Sequence, residues 1–304
     1  MNSFNDHGGP AADAERRWFK RFGRPESSPD IRLLCFHHAG GAAAAFRRWP
    51  QELPASVALI AVQLPGRADR FGEAAFDRMP PLVDRLVERV GPLLDRPFAF
   101  YGASMGARVA WTLAHALRER ALPVPRMLFV ASNSAPCHDD GTFGWDRHLD
   151  DLAGYLREMG GTPEEVLAEP ELVEALLPTL RADLDLLASH RFRPEVPLDI
   201  PIHAFAGVDD LTDPPERVRG WALETTARFE LDDVAGGHFH SPDTERAVIR
   251  AVVRDLVRQQ SRTTADTGLN RSARPAAPTA GGRTPPASAL PSGRPRTAAP
   301  ATGG

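Results

Sequence analysis

Short apolar runs alternate along the middle of the chain with segments whose apolar residues recur at helical spacing. The runs have the length and composition of buried strands and lie at 31–36, 57–64, 98–101, 127–131, 200–206 and 228–234. Helical patterns lie between or after them at 42–53, 79–94, 104–120, 215–225 and 244–259. Parallel strands need crossover connections, which helices commonly supply. The alternation therefore predicts an α/β fold with a mostly parallel sheet and helices on both of its faces.

One segment interrupts this alternation. At about 138–190 the chain contains no strand-like run, and from about 148 to 187 its pattern is helical. An all-helical insertion between two strands of an open sheet lies over the carboxyl ends of the strands, where sites of this architecture are found. We expect this insertion to form a helical lid.

The two ends of the chain differ from the middle. Residues 261–304 are rich in Pro, Ala, Gly, Thr and Arg and have few large apolar side chains, so they predict a disordered tail. Residues 1–29 are predicted to be flexible, apart from a short amphipathic piece around Trp18, Phe19 and Phe22. The predicted organisation is one folded domain at 30–260 between two loose ends.

Charge and hydropathy exclude several classes of protein. The net charge of −4 argues against a nucleic-acid surface. No window reaches the roughly 18 apolar residues of a membrane span, and the start lacks the apolar core of a signal peptide. Cys35 and Cys137 lack the spacing of a metal site. We expect a cytoplasmic monomer with reduced cysteines, no metal or cofactor, and no nucleic-acid or membrane partner.

The stretch FYGASMG at 100–106 places Ser104 between two glycines, where a predicted strand meets a predicted helix. The G-x-S-x-G pattern also arises by chance, and Ser104 could be an ordinary helix N-cap. However, strand, turn and helix are the setting of a nucleophile elbow, in which larger side chains two residues before or after the serine would collide. Gly102 and Gly106 meet that demand, which predicts Ser104 as a nucleophile.

A serine nucleophile needs a general base and an acid that orients the base. In α/β-hydrolases these follow in the order serine, acid, histidine. The loop AGGHFH near the end offers His238 and His240, and the two glycines before His238 favour it over His240. Candidates for the acid are Asp209, Asp210 and Asp213, which follow the strand at 200–206, with Asp210 preferred.

The reaction also needs hydrogen-bond donors for the oxyanion of the tetrahedral intermediate. One donor is usually the backbone N–H after the nucleophile, here Met105, and the other comes from the loop after an early strand. The first predicted strand opens into CFHHAGG, whose small residues allow close approach of a substrate. We predict the N–H of Ala39, beside His38, as the second donor.

Six motifs, taken together and in order, resemble the type II thioesterases, the stand-alone editing enzymes of polyketide synthases and nonribosomal peptide synthetases. They are CFHHAGG, AVQLPGR, LLDRPFAFYGASMG, GGTPEEVLAEPEL, LPTLRADL and GGHFH. The resemblance spans about residues 30 to 245 and includes the helical insertion.

The resemblance implies an α/β-hydrolase fold and hydrolysis of acyl groups from the phosphopantetheine arm of an acyl or peptidyl carrier protein, without a cofactor. It implies Ser104 as nucleophile, Asp210 as orienting acid and His238 as general base. It implies an oxyanion hole formed by the N–H groups of Met105 and Ala39.

The chain departs from the family pattern at three places. Ala103 stands where the family usually has His, His37 stands where it usually has Pro, and Leu211 follows Asp210 where Pro is common. Neither Ala103 nor His37 would supply an atom of the triad, so these two departures bear on acyl preference rather than on the chemistry.

Three other functions fit the same residues. The same fold and triad serve carboxylesterases and acyltransferases. A non-catalytic protein that binds carrier domains is a further alternative.

Overall fold

The computed structural model describes residues 15–23, 29–138, 151–162, 164–190 and 195–272. The chain divides into two compact units, residues 1–263 and 264–304, and the site lies in the first. The strands are β1 (Phe19–Lys20), β2 (Ile31–Phe36), β3 (Val57–Val62), β4 (Phe98–Ala103), β5 (Leu128–Ala131), β6 (Ile202–Gly207) and β7 (Phe229–Val234). The helices are α1 (Met79–Val90), α2 (Met105–Glu119), α3 (Leu152–Met159), α4 (Glu164–Leu167), α5 (Pro170–Ser189), α6 (Pro215–Val218) and α7 (Pro242–Ser272).

The strands form one seven-stranded sheet in the order β1-β3-β2-β4-β5-β6-β7. Every neighbouring pair is parallel except β1 and β3, which are antiparallel. Since parallel strands all end at the same edge, the segments after β2, β4, β6 and β7 meet there. The prediction of a mostly parallel sheet is confirmed, and its carboxyl edge carries the site.

Both faces of the sheet are buried, as parallel strands require. Successive side chains of a strand point to opposite faces. Leu34 accordingly packs with residues of α1 and α2, whereas Leu33 and Cys35 pack on the other face with Trp49 and residues of α7. This alternation explains why the strands read as nearly continuous apolar runs in the sequence.

The helices α3, α4 and α5, within residues 151–190, form a helical insertion between β5 and β6 with a small apolar core of its own. A buried ion pair joins it to the sheet. Arg67, which follows β3, donates from Nη1 and Nη2 to the two carboxylate oxygens of Asp183 on α5, at 2.6 and 2.8 Å. Their side chains are 5% and 1% exposed. The same carboxylate accepts the N–H of Gly40 at 2.7 Å, so α5 holds the loop after β2.

The segment at 42–53 is not the predicted α-helix. It forms two 3₁₀ turns, Ala43–Phe46 and Trp49–Gln51. Pro50 cannot continue an α-helix through this segment. Packing also overrides the helix propensity of the alanines, because Phe46 and Trp49 both turn inward onto Tyr101.

The two predicted loose ends need correction where the structure describes them. Phe19–Lys20 pairs with β3 as an edge strand, and Trp18 and Phe19 are buried, because the amphipathic piece has an apolar face that the sheet covers. At the other end α7 continues to Ser272, past the predicted helix end at residue 259 and the predicted tail start at 261. Residues 1–14 and 273–304 lie outside the described residues.

A search of the described helices finds none with both the length and the apolar character needed to cross a membrane.

The ion pair between Arg67 and Asp183 yields a stability prediction. The change Asp183→Ala leaves the buried Arg67 guanidinium unpaired, and we expect the free energy of unfolding to fall by about 3–5 kcal/mol. The measurement is the urea midpoint followed by fluorescence. The matched control is Asp185→Ala, an exposed aspartate on the same helix, for which the change should stay within about 0.5 kcal/mol. Equal midpoints for the two variants would contradict the prediction.

Candidate active site

Ser104 occupies a sharp turn between β4 and α2. Its φ of 52° and ψ of −118° form a backbone conformation that non-glycine residues rarely adopt. Hydrogen bonds hold it there, because its N–H donates to the carbonyl of Ala131 at 2.8 Å and its carbonyl accepts the N–H of Ala107 at 2.9 Å. Strain of this kind costs about 1–3 kcal/mol and is typical of functional sites.

The two glycines that flank Ser104 make this turn sterically possible. A Cβ on Gly102 would lie 2.4 Å from the backbone N and Cα of Ala107. A Cβ on Gly106 would lie 2.1 Å from the carbonyl oxygen of Phe36. All these neighbours are backbone atoms, so no side-chain rotation could relieve either contact. The glycines therefore have the steric role that the sequence analysis gave them.

His238 lies in the loop after β7 and reaches Ser104 from across the sheet edge. Its Nε2 is 3.0 Å from Ser104 Oγ, and its Nδ1 is 3.0 Å from Asp210 Oδ2. When Nδ1 donates to the carboxylate, Nε2 is free to accept the proton of the serine hydroxyl. The structure thus brings the predicted serine, histidine and aspartate into one hydrogen-bonded relay.

A second carboxylate, that of Asp213, lies close to His238. Oδ2 of Asp213 lies 3.5 Å from His238 Nδ1, farther than the Asp210 oxygen. The other oxygen of Asp210 accepts the N–H groups of Thr212 and Asp213, both at 2.9 Å, which fixes the direction of its carboxylate. Asp210 therefore holds the orienting position, and Asp213 adds negative charge beside it.

These contacts shift the pKa values of the pair. Burial by itself would lower the pKa of His238, but the hydrogen bond to Asp210 and the charges of Asp213 and Asp210 outweigh it and raise the pKa above its usual value. Burial would raise the pKa of Asp210, but its bonds to His238, Asp213 and Thr212 lower it instead. The structure therefore favours an ionised Asp210 and stabilises the imidazolium that forms when the serine loses its proton.

The other residues that the sequence offered as base or acid lie elsewhere. His240 Nε2 is 3.4 Å from Ser132 Oγ, while His238 is the histidine on Ser104. Asp209 is exposed to solvent, and its N–H donates to the carbonyl of Gly236. Neither residue occupies a place in the relay.

The assignment of the oxyanion hole to the backbone N–H groups of Met105 and Ala39 stays a prediction. Met105 is the first residue of α2, and the first N–H groups of a helix have no intrahelical acceptor. The helix dipole adds partial positive charge at that end. Ala39 lies in the loop after β2, lines the same cavity as Ser104, and precedes the Gly40 N–H that Asp183 holds.

A cavity of about 230 Å³ opens above Ser104. One wall is the catalytic edge, with Ser104, His238, His38 and the Ala39–Gly41 backbone. The helical insertion supplies the apolar opposite wall, formed by Tyr155, Leu156, Met159, Gly161, Thr162, Val166, Leu176 and Leu180, and Phe239 lies between the two. We call this cavity the chamber.

Away from the relay, His203, Glu230 and Asp255 bring ligand atoms close enough to share a cation. These groups already bind one another, since His203 Nδ1 lies 2.7 Å from Asp255 Oδ2. Guanidinium groups of Arg228 and Arg254 also face the carboxylates. The cluster is accordingly a structural ion network between β6, β7 and α7.

Sequence reasoning missed three groups at the site. Arg67 and Asp183 belong to AVQLPGR and LPTLRADL, motifs that served only to mark the resemblance. Phe239 lies between the two histidines that were weighed as the base. The sequence carried no signal for the ion pair beyond the charged residues of the two motifs, because no sequence spacing links positions that far apart.

The chain matches a known family model over most of its length. The model described as a thioesterase domain covers residues 31–256. The chain belongs to the thioesterase family. Thioesterases hydrolyse thioesters, so the predicted family, fold and enzyme class are confirmed.

Individual proteins of biosynthetic pathways are similar to this chain over nearly their whole length. The gramicidin S biosynthesis protein GrsT of Aneurinibacillus migulanus is 32% identical over 246 residues, which cover 79% of this chain and 94% of GrsT. The RedJ thioesterase structure from the prodiginine pathway of Streptomyces coelicolor is 34% identical, with a TM-score of 0.69 over 76% of this chain and 90% of RedJ. The structure of BorB, a type II thioesterase of the borrelidin cluster, is 32% identical, with a TM-score of 0.71 over 78% of this chain and 96% of BorB.

The nucleophile turn of this thioesterase yields a second prediction. In Gly106→Ala the new methyl group meets the Phe36 carbonyl, so we expect a loss of about 3 kcal/mol of stability and weaker labelling of Ser104 by a fluorophosphonate probe. The matched control is Gly91→Ala. Apart from its own helix and chain neighbours, a Cβ on Gly91 would meet no described atom within 4 Å, and φ there is negative, so stability should change by less than about 1 kcal/mol. Normal labelling and stability in Gly106→Ala would refute the steric argument.

Proposed function

We propose that this thioesterase is a stand-alone editing enzyme that removes acyl groups from the phosphopantetheine arm of acyl or peptidyl carrier proteins. The observation that carries the proposal is the relay Ser104–His238–Asp210 facing a chamber that the helical insertion walls. Supporting it, the chain matches GrsT and BorB over more than nine tenths of their lengths. We place this activity in the cytoplasm, in a monomer that meets its carriers there.

The first half of the reaction forms an acyl-enzyme. Ser104 Oγ attacks the thioester carbonyl while His238 Nε2 accepts its proton. The charge on the tetrahedral oxygen is stabilised by the N–H groups of Met105 and Ala39. The C–S bond then breaks, the pantetheine sulfur takes the proton from His238, and the carrier leaves with a free thiol.

The second half releases the acid. Water attacks the acyl-serine while His238 takes a proton from it, and the same two N–H groups stabilise the second tetrahedral oxygen. When the intermediate collapses, His238 returns the proton to Ser104 Oγ. Asp210 remains ionised throughout and stabilises each imidazolium.

Mass spectrometry of a loaded carrier tests this function. We expect the enzyme to return an acetyl- or propionyl-loaded carrier to its free-thiol mass. Ser104→Ala and His238→Gln should lower the rate by at least about 10³-fold, because each removes a member of the relay. The control His240→Gln should keep the rate within about tenfold.

A carrier that keeps its acyl mass, together with rapid hydrolysis of small activated esters, would identify a general esterase instead. Transfer of the acyl group to an amine or alcohol would identify an acyltransferase.

The pH profile tests the electrostatics of the relay. His238 must be neutral to accept the serine proton, and its pKa is raised, so kcat/KM should rise with pH through an acid limb above the usual histidine value of 6.5. Asp213→Asn removes a charge 3.5 Å from Nδ1, which lowers the pKa of His238 and moves the acid limb to lower pH.

Asp209→Asn, on the same loop but exposed, serves as the control. Its acid limb should stay within about 0.2 pH units of the wild-type limb, since charges at exposed sites are screened. A shift of the limb to higher pH in Asp213→Asn would contradict the assignment of His238 as the base.

A further inference from the structure

The chamber is built for an uncharged, apolar group. Among its lining residues that the structure describes, none is Asp, Glu, Lys or Arg. His38 keeps the chamber neutral as well, since burial, followed by the charges of His238 and Arg67, lowers its pKa to about 4. A charged acyl end would lie here without a partner, at a large desolvation cost.

The chamber is also small. A cavity of 150 Å³ holds a benzene molecule, so the chamber of about 230 Å³ has room for roughly nine non-hydrogen atoms. The thioester group must occupy part of that space to reach Ser104. The remaining room suits an acyl chain of about four to six carbons.

In the lining of the chamber, Phe239 lies between the catalytic edge and the helical insertion. Its ring packs edge-on against His38, with centroids 4.8 Å apart, and lies 5.2 Å from the His238 ring. On its other side it lies against Gly161, between α3 and α4, where a Cβ would come within 2.4 Å of the ring. Only a glycine at 161 leaves the ring in this position.

We propose that Phe239 is a specificity-determining residue that closes the chamber and limits the acyl group to a short apolar chain. The inference rests on the proposed function and deepens it, because it names the side chain that limits the length of the acyl group. Removing the ring opens space for about as many carbons as the ring contains.

Chain-length dependence is the direct measure of this role. Each methylene that becomes buried should raise kcat/KM about fourfold, until the chain no longer fits. For the wild-type enzyme we expect kcat/KM to rise up to about six carbons and then to fall. In Phe239→Ala it should continue to rise through eight carbons.

The experiment uses one carrier protein loaded in turn with acetyl, butyryl, hexanoyl, octanoyl and decanoyl groups. We expect the octanoyl-to-hexanoyl ratio of kcat/KM to be at least about tenfold higher in Phe239→Ala than in wild type, with Phe239→Leu between them. Phe71→Ala removes the same ring from a site 60% exposed and outside the chamber, and it should leave the ratio unchanged. Urea midpoints of all variants show that each is folded.

Two outcomes would overturn the inference. An unchanged chain-length profile in Phe239→Ala and Phe239→Leu would show that the ring does not limit the acyl group. A uniform loss for every chain would show that the ring only supports His238 or contacts the pantetheine arm.

The same series is measured on p-nitrophenyl esters, which need no carrier. A shifted profile on esters without hydrolysis of any loaded carrier would overturn the proposed function and leave the role of Phe239 standing. The two failures are therefore distinguishable.

Discussion

The close crossing of β4, α2 and the end of β2 is the constraint on which the site depends. Gly106 passes so near the Phe36 carbonyl that no side chain fits between them. Gly102 passes so near the backbone of Ala107 in α2 that no side chain fits there either. Ser104 adopts its positive φ at this crossing, and α2 begins directly after it. Because β2 takes part in it, the loop carrying Ala39 is brought to the same place. The positions of Ser104, of the start of α2 and of the loop with Ala39 thus all depend on this close crossing.

The pKa values of two histidines that line the same chamber are shifted in opposite directions. His238 lies against Asp210 and Asp213, which raise its pKa, whereas no carboxylate in the described part of the chain pairs with His38, and burial lowers its pKa to about 4. His238 therefore takes up a proton more readily than His38 does. A positive charge is stabilised beside Ser104 and disfavoured at His38.

The helical insertion has two kinds of contact with the sheet. Through Asp183, α5 is bound to Arg67 and to the Gly40 N–H by buried, charge-assisted hydrogen bonds, which makes α5 part of the structure that supports the catalytic edge. Between α3 and α4, Gly161 meets that edge through apolar packing against Phe239. Apolar contacts adapt to substitution more readily than a buried ion pair does. Substitutions in α3 and α4 should therefore disturb the Ser104–His238–Asp210 contacts less than substitutions of Arg67 or Asp183 do.

Local sequence patterns determined β2 to β7, the long helices and the serine turn, because period and turn chemistry depend on neighbours along the chain. They failed at 42–53 and at Phe19–Lys20, where burial against distant residues overrides local propensity. From the sequence alone, Asp209, Asp210 and Asp213 all remained candidates for the acid. Only the tertiary structure separated them, because the choice depends on which carboxylate the loop after β7 meets across the sheet edge. The pairing of Arg67 with Asp183 and of Phe239 with Gly161 was likewise decided in three dimensions, since the partners of each pair are far apart in sequence and no periodicity connects them.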